Sequence, residues 1–188
     1  MKKYLIMMAG LPCTGKTTIR KKLMKKLEGY DFHDNTQVRK EFGYKKFDPR
    51  RDHFVLKEVD RRTELSFKNN KGVILDSIHR FNHRRKELYE IADKLGVKIL
   101  IIECICSAKE SKKRLRNRPK TEGIVGDVRD TKIYDRLSKE WEDIKKDLGE
   151  DYAKHVSYTK FDSEKNNFER IKVDPELINI VEKIEKII

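Results

Sequence analysis

The sequence predicts an α/β fold, a three-layer α/β/α sandwich around a parallel five-stranded sheet, and two observations carry that expectation. Short continuous apolar runs (4–9, 72–76 and 97–106) alternate with stretches of helical periodicity, the pattern of strands buried on both faces and joined by crossover helices. The first run ends in Gly10-Leu11-Pro12-Cys13-Thr14-Gly15-Lys16-Thr17-Thr18, a glycine-bracketed loop between a strand and a helix. With 188 residues the chain is long enough to bury one core, and a single domain is expected over 1–188.

Each element follows from local chemistry. Tyr4 to Ala9 reads as a central strand, and Thr17 to Leu27 places Ile19, Leu23 and Leu27 on one helical face. Tyr30 to His33 is a short strand ending at Asp34. A polar helix through Val38 and Phe42 then stops at Gly43. Lys45 to Arg51, basic and containing Pro49, reads as loop, and Asp52 to Asn69 as a long helix. Gly72 to Asp76 is a second buried strand, Asn82 to Leu95 an amphipathic helix closed by Gly96, and Val97 to Cys106 a third strong strand. Ser107 and Glu110 have capping-box spacing and open a helix that Pro119 ends. Residues 119–130, with Gly123 and Gly126, read as a mobile segment, making a basic lid around 114–131. Thr131 to Leu148 reads as one helix with Leu137, Trp141, Ile144 and Leu148 at core spacing, and Val156 to Phe161 as the fifth strand. Asp174-Pro175 starts a last helix whose Leu177, Ile180, Val181 and Ile184 face the sheet.

The net charge of +13 is unevenly spread. From Thr131 onward 12 basic residues face 14 acidic ones, so residues 1–130 carry +15, which points to an anionic partner larger than a nucleotide. Charged residues make up 41% of the chain beside a single glutamine, Gln37, a balance that suits a thermophile. No run approaches the roughly 20 apolar residues that cross a bilayer, and the apolar start runs into the glycine loop instead of a cleavage site. A cytoplasmic protein with no membrane partner is expected; the oligomeric state is left open. Three cysteines exclude a disulfide framework, and Cys104 and Cys106 read as buried small hydrophobes. His33, His53, His79 and His83 lack metal-ligand spacing.

Gly10-x4-Gly15-Lys16-Thr17 has the Walker A pattern in its required context. Phosphates need several converging backbone N–H groups. Gly10 and Gly15 permit that geometry, and the helix N-terminus adds partial positive charge. Residues 10 to 18 are thus the expected cradle for ATP or GTP, with Lys16 on the phosphates and the Thr17 hydroxyl on Mg²⁺. Asp76 ends an apolar strand, where it would support the metal; the alternative is a helix cap. Asp34 reads either as the base for an acceptor hydroxyl or as an N-cap. Arg39 reads as an acceptor clamp or a solvated helix residue. Arg84 and Arg85 read as acceptor-side contacts, with pairing to Glu87 or Glu90 as the alternative. Arg114 and Arg118, four apart, are expected on one face, ready to stabilise charge on a transferring phosphoryl group, while Arg116 diverges.

With these segments in order, namely residues 10 to 18, Val38-Arg39-Lys40-Glu41, Val73-Ile74-Leu75-Asp76-Ser77 and Arg114-Leu115-Arg116-Asn117-Arg118, the chain resembles the P-loop kinases grouped with polynucleotide kinase and zeta toxin, the AAA_33 type. Asp76 to Tyr89 is also similar to seryl-tRNA kinase, and adenylylsulfate kinase is a fainter likeness. The resemblance implies a P-loop NTPase fold of the nucleotide-kinase kind and an ATP- and Mg²⁺-dependent transfer to a nucleic-acid hydroxyl or a phosphorylated small molecule. It also implies lid roles for Arg114 and Arg118 and a metal-side role for Asp76. In polynucleotide kinase an acid three residues before an arginine is the base. Here Arg39 matches that arginine but Thr36 stands at the acid's place, and the nearest acid is Asp34.

Overall fold

Every residue from Leu5 to Ala9 is buried, because this strand lies in the middle of a sheet covered on both faces. The structure, a computed structural model, describes residues 3–44, 48–119 and 129–188. Its strands are β1 Leu5–Ala9, β2 Tyr30–Asp34, β3 Gly72–Asp76, β4 Ile99–Ile105, β5 Val156–Asp162 and β6 Asn167–Lys172. Its helices are α1 Lys16–Lys26, α2 Asn35–Glu41, α3 Pro49–Lys68, α4 Asn82–Lys94, α5 Ala108–Arg116, α6 Thr131–Lys139 and α7 Ile178–Ile187. The sheet runs β2-β3-β1-β4-β5-β6, parallel except for β6, which pairs antiparallel with β5.

The alternation of side chains along each strand feeds two cores. Leu5, Met7, Ala9, Val73, Leu75 and Ile101 pack against α3 and α4, through residues such as Val55, Val59, Leu88 and Ala92. Ile6, Met8, Ile74, Leu100 and Ile102 pack against α1 and α7, through Ile19, Leu23, Leu177, Ile180 and Val181. The last helix therefore covers the sheet as its spacing predicts.

Four expectations change. A sixth strand, β6, closes the edge; its sequence Asn-Phe-Glu-Arg-Ile-Lys is mostly exposed and carries too little apolar signal to read as a strand. Asp162 Oδ1 accepts from the N–H groups of Glu164 (2.9 Å) and Lys165 (3.1 Å), and Asn166 takes a positive φ of 52°, which turns the chain back. Residues 49–51 are helix and not loop: Asp48 caps α3 by accepting from Arg50 N at 2.9 Å, with Pro49 in the first turn. Residues 45–47 lie outside the described ones. The predicted 131–148 helix stops at Lys139, and a 3-10 turn capped by Asp143 follows at Ile144–Gly149. Trp141, Ile144 and Leu148 still pack on the α3–α4 side of the sheet. Ser107 caps α5 by accepting from Glu110 N at 3.2 Å, but the other half of the box is not made, because Ser107 N donates to Glu164 at 3.0 Å. Among the described residues no helix is long and apolar enough to cross a membrane.

One buried ion pair ties the 3-10 turn to α4. Arg85 Nε and Nη2 donate to Asp147 at 2.6 and 2.8 Å, Tyr89 donates to the same carboxylate at 2.9 Å, and Arg85 Nη1 reaches the His79 carbonyl at 3.0 Å. Both partners are essentially sealed from water, at 0% and 1% exposure. Removing one partner strands the other charge in a dry site. Asp147→Ala is therefore expected to lose about 3–5 kcal/mol in urea unfolding, while the double change Arg85→Met, Asp147→Leu loses much less. A double change that costs as much as Asp147→Ala and Arg85→Met added together would show that the pair is not energetically coupled.

Candidate functional site

The turn after β1 has no room for a side chain at its first glycine. Gly10 takes φ 137°, and a Cβ there would lie 2.3 Å from the Cys104 carbonyl oxygen. Gly15 has φ 101°, and Cys13, though not glycine, has φ 60°. Each carbonyl from residue 10 to 13 accepts from a side chain. Lys16 Nζ donates to Gly10 O and Leu11 O, both at 2.8 Å, and Thr14 Oγ1 donates to Leu11 O at 2.9 Å. Ser111 donates to Pro12 O, and Arg114 Nη1 reaches Cys13 O at 3.4 Å. Because a peptide is planar, holding its C=O on one side aims the following N–H to the other, and here these N–H groups add to the positive end of α1. Burial lowers the Lys16 pKa; Asp76 opposes that shift and the charge of Arg118 adds to it.

Asp76 lies at the C-terminal end of β3 and faces the loop. Thr17 Oγ1 donates to its Oδ2 at 3.0 Å, and Arg20 Nε sits 3.5 Å from the same oxygen. Asp34 and Asp76 are register partners on neighbouring parallel strands, so their side chains emerge on the same face about 5 Å apart. Asp34 Oδ1 also caps α2, accepting from Gln37 N at 2.6 Å. A carboxylate has lone pairs for both a cap and an incoming proton, so the two readings of Asp34 are compatible. Desolvation raises the Asp34 pKa, and the Asp76 charge raises it further against the pull of Gln37 N and Arg20.

The arginines divide. Arg114 is fixed against the loop by Glu110 (2.9 Å) and Ser163 Oγ (2.8 Å) as well as Cys13 O. The shared-face expectation for Arg114 and Arg118 changes, because α5 ends at Arg116 and Arg118 lies beyond it, exposed and near enough for its charge to be felt at Lys16. Lid residues 120–128, with Gly123 and Gly126, lie outside the described ones. Arg39 forks onto Asp52 and clamps α2 to α3. Arg84 pairs with Asp60 and, at 2.7 Å, with Glu87, the alternative its sequence allowed. Arg85 is not available to an acceptor: its guanidinium is consumed in the core by Asp147. Cys104 is buried as expected, whereas Cys106 follows the end of β4 and is half-exposed.

Sequence reasoning missed Arg20, Ser111 and Ser163. Arg20 stacks over Phe32, 4.2 Å from the ring centroid, and its position four residues after Lys16 was the available signal. Ser111 and Ser163 come from distant segments and leave no local mark. Hard oxygen donors, Thr17 and Asp76, fit Mg²⁺, which takes one or two protein ligands and completes its shell with phosphate and water. Among the described residues no cluster of three or more acidic, His or Cys side chains offers a metal site of its own.

The AAA_33 family model, an AAA domain, matches residues 5–139. No curated protein matches the chain in sequence. Among solved structures, a chain of the Pnkp1/Rnl/Hen1 RNA repair complex superposes with a TM-score of 0.63 at 17% identity, over 94% of this chain and 51% of its own. Kti12 of Chaetomium thermophilum in complex with ADP-AlF3 gives 0.62 at 15% identity, over 84% and 89%. A sugar kinase from Janibacter gives 0.56 at 12% identity, over 77% and 80%. At these identities the likeness establishes the P-loop NTPase fold. This chain spans 42% and 51% of the two repair-complex chains that it matches.

The loop geometry makes one substitution decisive. Gly10→Ala forces a Cβ onto the Cys104 carbonyl and is expected to weaken ATP binding at least tenfold in calorimetry. A variant with wild-type affinity would show that the loop is not the nucleotide cradle.

Proposed function

We propose that this chain, which belongs to the AAA_33 family of AAA domains, is an ATP-dependent phosphotransferase whose acceptor is a nucleic-acid hydroxyl, such as a 5′-hydroxyl. The observation that carries the reading is the pairing of Asp34 with Asp76 at the ends of neighbouring strands, beside the Walker A lysine and threonine. Attack on the γ-phosphate takes a proton from the nucleophile, and Asp34 beside the metal-side acid gives that proton a place; the basic surface argues that the nucleophile is a nucleic-acid hydroxyl and not water.

In this reading residues 10 to 18 hold the phosphates, Lys16 neutralises them, and Thr17 and Asp76 would hold Mg²⁺, which supplies charge neutralisation on the phosphates when bound. Asp34 takes the proton of the acceptor hydroxyl as the new O–P bond forms and the bond to the ADP oxygen breaks. Arg118 stabilises charge on the transferring group, and Arg114 positions the loop through Cys13 and Ser163. Arg39 and Arg84, both held by acids, set the shape of the acceptor wall. The basic excess of residues 1–130 supports a polyanionic acceptor, as does the likeness to a repair-complex chain. The sugar kinase on the same fold makes a small molecule the competing acceptor.

The test is transfer from γ-labelled ATP to 5′-hydroxyl RNA and DNA, tRNA, nucleosides and sugars. Labelled oligonucleotide is expected, lost in Lys16→Ala. Label in a sugar alone would move the acceptor to a metabolite, and ATP turnover with no labelled product would make the protein a nucleotide-switched ATPase. Arg118→Ala should lower kcat on the order of 10²-fold with little change in KM for ATP, and Arg116→Ala should do far less.

Asp34 must be deprotonated to act, and its pKa is raised, so the rate should climb with pH through that pKa and fall as pH drops below it. Asp34→Asn should abolish this acid limb along with most of the rate. A variant that keeps the limb would assign it to another group.

A further inference from the structure

Beyond the catalytic ends of the strands, the surface made by α2 and α3 carries aromatic side chains that the fold does not bury. Phe42 is 40% exposed and Phe54 52% exposed. They border an open groove lined by Phe42, Tyr44, Phe54, Lys57, Glu58 and Arg61. Phe42 meets Tyr44 edge-on at 5.6 Å, the Arg51 guanidinium lies 5.4 Å from the Tyr44 ring, and the His53 ring packs at 3.8 Å against Phe54, so each ring is held by a neighbour while Phe42 and Phe54 keep exposed area. The Arg39–Asp52 pair holds the two walls together.

The charge of this groove is already sorted. Glu58 is taken by Arg61 and Arg62, Glu41 by Arg62, Asp52 by Arg39 and Asp60 by Arg84. Arg50 and Lys57 have no acidic partner among the described residues. Arg50, Phe54, Lys57 and Arg61 follow one another at helical spacing along α3, a stripe in which cations alternate with an exposed ring. A purely apolar groove would suit a peptide. Rings interleaved with uncompensated cations suit a phosphate backbone whose bases have faces to stack.

The groove also stands at a useful distance. Asp34 caps the start of α2 and Phe42 caps its end, so a rise of 1.5 Å per residue puts Phe42 about 12 Å along the helix axis from the candidate base. That is about three to four nucleotides of a stacked strand at roughly 3.4 Å each.

We infer that Phe42, Tyr44 and Phe54, flanked by Arg50 and Lys57, form a stacking platform for single-stranded nucleic acid, engaging the acceptor three to four nucleotides from its reacting end. The inference rests on the nucleic-acid acceptor reading above and adds a length requirement to it. A single nucleotide fills only the catalytic end, whereas a strand long enough to reach Phe42 gains the platform.

The test uses 5′-hydroxyl RNA of one, three and six nucleotides as acceptors, with fluorescence anisotropy of a labelled hexamer in low salt. KM is expected to fall as the strand lengthens. Phe42→Ala and Phe54→Ala should each weaken hexamer binding about tenfold, leaving the salt slope and the single-nucleotide KM as they are. Phe54→Leu keeps apolar area but has no π-face, and should lose as much as Phe54→Ala. Arg50→Ala with Lys57→Ala should flatten the salt slope by about 0.7 per lost phosphate contact. Thermal melting and ATP affinity report that each variant is folded.

A hexamer that is phosphorylated and bound equally by wild type and the aromatic variants would overturn the platform and leave the acceptor reading standing. No oligonucleotide bound or phosphorylated would remove both. If Phe54→Leu behaves as wild type, the groove is an apolar dock and the stacking inference fails. It fails equally if Phe54→Ala changes only the sedimentation of the protein alone, since the face is then a contact between copies of the chain.

Discussion

A loop that offers its backbone N–H groups to an anion must turn its carbonyls elsewhere, and a buried carbonyl without a donor costs on the order of 1–3 kcal/mol. The chain meets that demand with donors from three places: Lys16 at the start of α1, Thr14 within the loop, and Ser111 and Arg114 on α5. Much of the architecture serves these contacts. α5 must lie over the loop, so β4 must sit beside β1; Ser163 must hold Arg114, so the end of β5 must lie beside β4. Gly10 is the point where the arrangement has least tolerance, because the Cys104 carbonyl occupies the space a side chain would need.

On the other side of β1 a single register does two jobs. Phe32 and Ile74 are partners and face the α1 side of the sheet; two residues further on, the same register places Asp34 beside Asp76. A slip of one residue would send the apolar pair and the acidic pair to the wrong face together, so packing and chemistry are specified by one alignment. Arg20 spans both, stacked on Phe32 and paired with Asp76.

What was legible in the sequence was whatever depends on near neighbours. The glycine loop, the apolar strands and the faces of α1 and α7 are patterns of spacing within one element, and the structure reproduces them. The fates of charged side chains depend on partners far along the chain. Arg85 read as an acceptor-side contact because Asp147, which draws it into the core, lies 62 residues away. Arg84 is decided in part by Asp60, 24 residues away on another helix. The helix beyond Lys139 failed for a different reason: its apolar spacing was real, but Asp143 offers a cap that a 3-10 turn can use. β6 was hidden because an edge strand needs few apolar residues.

The buried pair between Arg85 and Asp147 bears on where this fold can be cut. Residues 5–139 carry the family's defining pattern, yet a fragment ending there would retain Arg85 without the carboxylate that neutralises it. It would also lack β5, which supplies Tyr158 to one core, and α7 with the Pro175–Leu177 turn before it, which supply Leu177, Val181 and Ile184 to the other. The segment by which the chain is recognised is thus smaller than the segment that completes both cores. Moving the glycine loop and its paired acids onto another scaffold would mean carrying the C-terminal elements with them.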